Sequence, residues 1–134
     1  MCLVVAIADG DTLTARCGVP GQYQQVKVRL AEIDAPEKGQ AFGNRSRQHL
    51  AALCFQQQAI IRPATTDRYG RTVARVECRG QDANLEQVRA GMAWAYTKYL
   101  TDPDVWQVEE AARAAGSGLW SDREPVAPWE WRKR

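Results

Sequence analysis

The sequence predicts an α+β fold with a mainly β core, a small closed barrel capped by about three helices. Three observations carry this. Two β-rich runs flank Asp9-Gly10 in "VVAIADGDTLTARC", and Asp-Gly between such runs is a strong hairpin signal. Helical periodicity is confined to later segments. The order (three strands, helix, two strands, then helices) suits a five-stranded OB-fold barrel. The 134 residues are one domain's length, divided into a barrel domain over 1–121 and a Pro/Trp/basic tail over 122–134.

Leu3–Ala8 and Asp11–Cys17 make the first hairpin, with Asp9-Gly10 as a type I′ turn that needs positive φ at both central residues. In that register Ala8 faces Asp11, and counting outward sets Cys2 opposite Cys17. "VPGQ" (19–22) is a second turn. "YQQVKVRL" (23–30) alternates, with Val26, Val28 and Leu30 on one face, and Pro36 stops the chain after it. "AFGNRSRQHLAALC" (41–54) spaces Phe42, Leu50, Leu53 and Cys54 as a helix does. "QAIIRP" (58–63) and "TVARVEC" (72–78) are strands around the polar loop "TTDRYGR", with Val73 and Val76 assigned to the core.

"DANLEQVRAGMA" (82–93) is a helix capped by Asp82 and ended by Gly91. "AWAYTKYL" fits no single pattern. "DPDVWQVEEAARAAGSGLW" (102–120) is the clearest helix. Asp102 caps it, Pro103 takes its first position and Gly116 marks its exit. Val105, Val108, Ala112 and Ala115 form its apolar face. The tail lacks periodicity, and Trp129 and Trp131 either dock it or leave it loose.

Composition excludes more than it assigns. Net charge is +2, which says little about partners. No run approaches the roughly 18 apolar residues of a membrane span, so no membrane partner is expected. The lack of any Cys-x-x-Cys pair and the single histidine argue against a zinc site. His49 lies within the first helix and reads as a packing or surface residue. The register that opposes Cys2 and Cys17 leaves Cys54 and Cys78 as a second disulfide. Four reduced thiols of a cytosolic protein are the alternative.

Three clusters could carry chemistry. "DGD" offers Asp9 and Asp11; "VRLAEIDAPE" offers Arg29, Asp34 and Glu37; "TDRYGR" offers Arg68, Tyr69 and Arg71. Asp11 shares a strand face with Leu13 and Ala15, so it points to the barrel mouth, where a carboxylate needs a partner such as a cation. Together the clusters supply phosphodiester hydrolysis. A carboxylate-bound metal polarises phosphate and water, a further carboxylate serves as base, and two arginines hold the oxygens where charge builds. No "GxSxG" elbow seats a serine triad.

These clusters, in this order, resemble the staphylococcal nuclease (thermonuclease) family. "LEQVRAGMAW", "EEAARAAGSGLWS" and "PWEWRKR" are similar to its later segments. The resemblance implies an OB-fold and endonucleolytic cleavage of single-stranded or denatured DNA and RNA to 3′-phosphate products, dependent on one Ca²⁺ ion. Carried over by position, it implies Asp11, Asp34 and the Ala35 carbonyl as calcium ligands, with Asp9 acting through water. It implies Glu37 as general base, Arg29 and Arg71 on the scissile phosphate, and Arg68 and Tyr69 beside the substrate's 3′ side. Tyr96 and Tyr99 are candidates for base stacking.

Cys54 and Cys78 resemble a pair in exported bacterial relatives, which implies a periplasmic or secreted protein whose leader is absent from this chain; the alternative is cytoplasmic. A monomer without an obligate protein partner is expected. The competing function is a catalytically silent OB-fold module that binds nucleic acid or protein.

Overall fold

A computed structural model describes residues 2–134. Eight strands are present: β1 Cys2–Asp9, β2 Thr12–Cys17, β3 Gln24–Leu30, β4 Ile33–Asp34, β5 Gln58–Thr66, β6 Thr72–Cys78, β7 Gln81–Asp82 and β8 Trp94–Ala95. Four α-helices accompany them: α1 Gly43–Cys54, α2 Ala83–Arg89, α3 Pro103–Ala115 and α4 Pro128–Trp131. Antiparallel pairing runs β3-β2-β1-β5-β6, and a parallel β3–β6 pairing joins the two ends. The result is a closed five-stranded barrel, which leaves its principal strands no free edges. The fourth helix, beyond the three expected, belongs to the tail.

The barrel is filled by alternate residues. Leu13, Ala15, Val28, Leu30, Ala74 and Val76 are buried, as the period of two requires. Val73 stands on the opposite face from Val76 and is only half-buried, because residues three apart in a strand cannot share a face. Both cysteine pairs span neighbouring elements, with Cα separations of 4.2 Å for Cys2–Cys17 and 5.4 Å for Cys54–Cys78.

The first hairpin departs from its expected register near the turn. Cys2 pairs with Cys17, but irregularities at Val4/Ala6 and Ile7/Asp9 leave Asp9 opposite Thr12. Gly10 and Asp11 therefore make the turn, not Asp9 and Gly10, and neither Gly10 nor Asp11 has positive φ. Gly10 is there for space. A Cβ on it would lie 1.7 Å from the Ser46 hydroxyl oxygen and 2.9 Å from the Ala35 methyl.

The helices begin and end where their caps dictate. The Asp82 carboxylate accepts from the Leu85 N–H, and that of Asp102 from the Asp104 N–H. Gly91 and Gly116 follow α2 and α3 with φ of 70° and 66°, values that favour glycine. The buried stripe of α3 is Val105, Glu109 and Ala112, while Ala115 is exposed. Glu109 takes a core position because the Ala95 N–H and Arg113 donate to it. The stretch around Trp94, unassigned from sequence, pairs with Ile33–Asp34. No helix among the described residues is long and apolar enough to cross a membrane.

Candidate active site

The β1–β2 turn, the end of β3 and the short β4 bring Asp11, Arg29 and Asp34 together. Asp11 and Asp34 are 6% and 1% exposed, so both carboxylates have left most of their water and need partners. Asp11 accepts from the Ala35 N–H at 2.7 Å and from the Thr12 hydroxyl at 3.0 Å. Arg29 lies between the two acids, 3.4 Å from Asp11 through Nη1 and 3.4 Å from Asp34 through Nη2. Its Nη1 also donates to the Leu30 and Ile33 carbonyls, both at 2.9 Å. Those backbone anchors fix the guanidinium independently of the carboxylates.

Burial acts unequally on the acids of this cluster. Burial, followed by the neighbouring Asp11 charge, pushes Asp9 up to about 7. Burial also pushes Asp34 up to about 6, against the pull of its arginine partners. Asp11 goes the other way: burial raises it, but Arg29 and the hydrogen bonds from Asp9, Ala35 and Thr12 hold it below the usual carboxylate range. Asp9 touches the turn directly, since its Oδ1 accepts the Asp11 N–H at 3.1 Å.

Arg71 precedes β6 by one residue. The parallel register sets Arg29 beside Val73, so Arg71, two residues before Val73, falls on the same outer barrel face as Arg29. Its Nε donates to Asp67 at 2.7 Å, and its backbone N–H to the same carboxylate. Among the described residues its two Nη groups donate to no protein acceptor.

Comparisons with known proteins agree with this geometry. Residues 27–122 match the family described as staphylococcal nuclease homologue. The chain belongs to that family. It is 50% identical over 133 residues to a Haemophilus influenzae protein named "Uncharacterized endonuclease", covering 99% of this chain and 73% of that protein. It is 44% identical over 141 residues to the Shigella flexneri "Micrococcal nuclease", covering 97% of this chain and 79% of the relative. "Protein ParB" of Escherichia coli is 43% identical, with 97% of this chain and 77% of the relative covered.

The remaining expected residues of this nuclease-family site form two separate groups. Arg68 and Tyr69 share the Asp67–Arg71 loop, with the Arg68 Nη2 donating to the Tyr69 hydroxyl at 2.7 Å. Tyr69 is 67% exposed. Tyr96 and Tyr99 meet edge-on at 5.1 Å, and Tyr96 stacks on Trp129 at 5.3 Å. Among the described residues neither group hydrogen-bonds or ion-pairs with Asp11 or Asp34.

Two contributions escape the sequence reading. Gln87 of α2, fully buried, donates to the Gly10 carbonyl at 2.6 Å and the Ser46 carbonyl at 3.0 Å, while its oxygen contacts His49. It holds the turn that carries Asp11, and nothing in an amphipathic pattern marks such a glutamine. The second is Arg132, whose guanidinium reaches Asp34 and Glu37. An arginine behind two tryptophans in "PWEWR" was the available signal.

The donor set suits a hard cation. The two buried carboxylates of Asp11 and Asp34 are oxygen donors of the right kind. Among the described residues no three acidic, His or Cys side chains form a ready cage, so a cation on Asp11 and Asp34 would complete its shell with carbonyl oxygen and water.

Proposed function

We propose that this chain is a calcium-dependent endonuclease that hydrolyses single-stranded or denatured DNA and RNA and leaves 3′-phosphate ends. The observation that carries the reading is Arg29 fixed between Asp11 and Asp34, with Glu37 three residues further on. Asp11, Asp34 and the Ala35 carbonyl would hold one Ca²⁺, with Asp9 reached through water, and the ion would supply charge that polarises phosphate and water. Glu37 is part-exposed and accepts the proton of the attacking water. Arg29 and Arg71 donate to the non-bridging oxygens, where negative charge grows. Water adds to phosphorus and the P–O5′ bond breaks; the departing 5′ oxygen takes a proton from solvent while Glu37 returns its own to solvent, so the products are a 3′-phosphate and a 5′-hydroxyl. Arg68 and Tyr69 contact the substrate's 3′ side, and Tyr96 and Tyr99 offer faces to bases.

The chain works as a monomer in the periplasm or outside the cell, where both cysteine pairs oxidise. Thiol titration without reductant should find no free thiol in protein from its native compartment; four would contradict this location. The activity is tested on denatured DNA with Ca²⁺ and then with chelator. The expected products accept polymerase extension only after phosphatase treatment. Clean, folded protein that shows no calcium-dependent digestion would sink the proposal, and ends extendable without phosphatase would reject the assigned cleavage side.

A further inference from the structure

We propose that Arg132 is an internal counter-cation of the site, which a divalent cation must displace, so that metal binding and docking of the C-terminal segment oppose each other. The inference rests on the reading of Asp11 and Asp34 as metal ligands. Arg132 makes a two-pronged contact with Asp34, Nη2 to Oδ2 at 2.7 Å and Nη1 to Oδ1 at 3.1 Å, and Nη1 also donates to Glu37 at 2.5 Å. Both oxygens of Asp34 are thus engaged by the fork, and one guanidinium ties the buried acid to the accessible one. Its own side chain is 38% exposed while that of Asp34 is 1% exposed, so Arg132 covers Asp34 from the solvent side.

The segment is aimed rather than loosely draped. Ala127 and Pro128 are buried, Trp129 stacks on Tyr96 and packs edge-on against Trp94, and Gln40 donates to the Val126 carbonyl at 2.7 Å. An ordinary surface ion pair contributes little, but this one is bidentate to a carboxylate withdrawn from water, where charge–charge terms are larger.

Arg29 and Arg132 differ in what would hold them once a cation arrives. Arg29 keeps two backbone carbonyls as acceptors. The guanidinium of Arg132 donates only to Asp34 and Glu37 among the described residues. A divalent ion on Asp34 repels both arginines, and only Arg132 has nothing else to hold it. Linkage is reciprocal, so what loosens Arg132 when the cation binds must weaken the cation when Arg132 is docked.

The test is calorimetric Ca²⁺ titration of the whole chain and of Arg132→Gln and Arg132→Lys, with hydrogen exchange of the amides of residues 131–134 in the wild type. Arg132→Gln should bind Ca²⁺ about tenfold more tightly, equivalent to about 1.4 kcal/mol. Arg132→Lys, which keeps the charge but loses the fork, should fall between wild type and Arg132→Gln. In the wild type, Ca²⁺ should speed exchange of the tail amides. Equal or weaker binding by folded Arg132→Gln overturns the linkage, as does tail exchange that is unchanged or slowed by Ca²⁺. Should Arg132→Gln fail to fold, the wild-type exchange decides alone. Absence of Ca²⁺ binding to every protein overturns the metal-site reading itself, and the linkage with it.

Discussion

The molecule holds two arginine–carboxylate clusters made of the same side-chain types. Around Arg75 of β6, Asp82 lies at 2.6 Å, Asp102 at 2.8 Å and Glu32 at 3.4 Å. Around Arg29 stand Asp11 and Asp34, each at 3.4 Å. The acids of the first cluster also accept backbone N–H groups, those of Leu85, Asp104, Thr101 and Asp102. Glu32 is held low although burial opposes it, because the Thr101 and Asp102 amides outweigh that cost, and Asp102 is held low first by Arg75. In the second cluster burial wins at Asp9 and Asp34, which are raised to about 7 and about 6. In the first cluster each acid has both Arg75 and a backbone N–H as partners, and the cluster pins β6 to the starts of α2 and α3. In the second, Asp34 stays raised although Arg29 and Arg132 both contact it, and burial-driven shifts of this kind are characteristic of functional sites.

If that contrast is right, substitutions in the two clusters should fail in different assays. The largest expected effect is Glu37→Gln, which keeps shape but cannot take a proton. Its turnover should fall by about 10²–10⁴-fold, with the urea midpoint nearly unchanged. Arg71→Ala should cost about 10²–10³-fold in kcat/KM by removing a contact to the charge-bearing oxygens; near-normal cleavage would contradict the assigned role.

Arg75→Met should do the reverse. It strands three acids and should lower stability by about 2–3 kcal/mol at pH 7, while turnover by the folded fraction stays close to wild type. The pH dependence follows from the signs. Glu32 and Asp102 are lowered on folding, so the unfolded chain binds more protons near their unfolded pKa values of about 4. The stabilisation from Arg75 is therefore complete above that range and lost as pH falls through the folded values. Urea midpoints from pH 7 down to pH 2 should show the gap between wild type and Arg75→Met closing; a gap that widens on acidification would reject the pairing.

The smallest expected loss is Gly10→Ala, about 1–2 kcal/mol from crowding against Ser46. It sharpens the comparison because the β1–β2 turn belongs to fold and site alike. Stability and calcium affinity should fall together, and a drop in stability with unchanged calcium titration would separate the turn from the site.

How much of this was legible in the sequence depended on the range of the forces involved. Strand alternation, the Asp82 and Asp102 caps and the exits at Gly91 and Gly116 are local, and the residues state them directly. The closed barrel follows from element order. The turn lies at Gly10-Asp11 because irregularities at Val4/Ala6 and Ile7/Asp9 shift the register, which the two-residue hairpin rule does not anticipate. Spacing alone places Ala115 in the core and does not mark Glu109, whose partner N–H at Ala95 lies 14 residues away. Arg132 meets Asp34 across 98 residues. Only tertiary packing of the tryptophans brings that arginine to its partner.

The most direct test places Glu37→Gln and Arg75→Met side by side and measures calcium-dependent turnover of denatured DNA per folded molecule. The contrast between the clusters predicts a loss of at least about 100-fold for Glu37→Gln and wild-type turnover for Arg75→Met. Equal turnover in the two variants, whether both impaired or both intact, would contradict it.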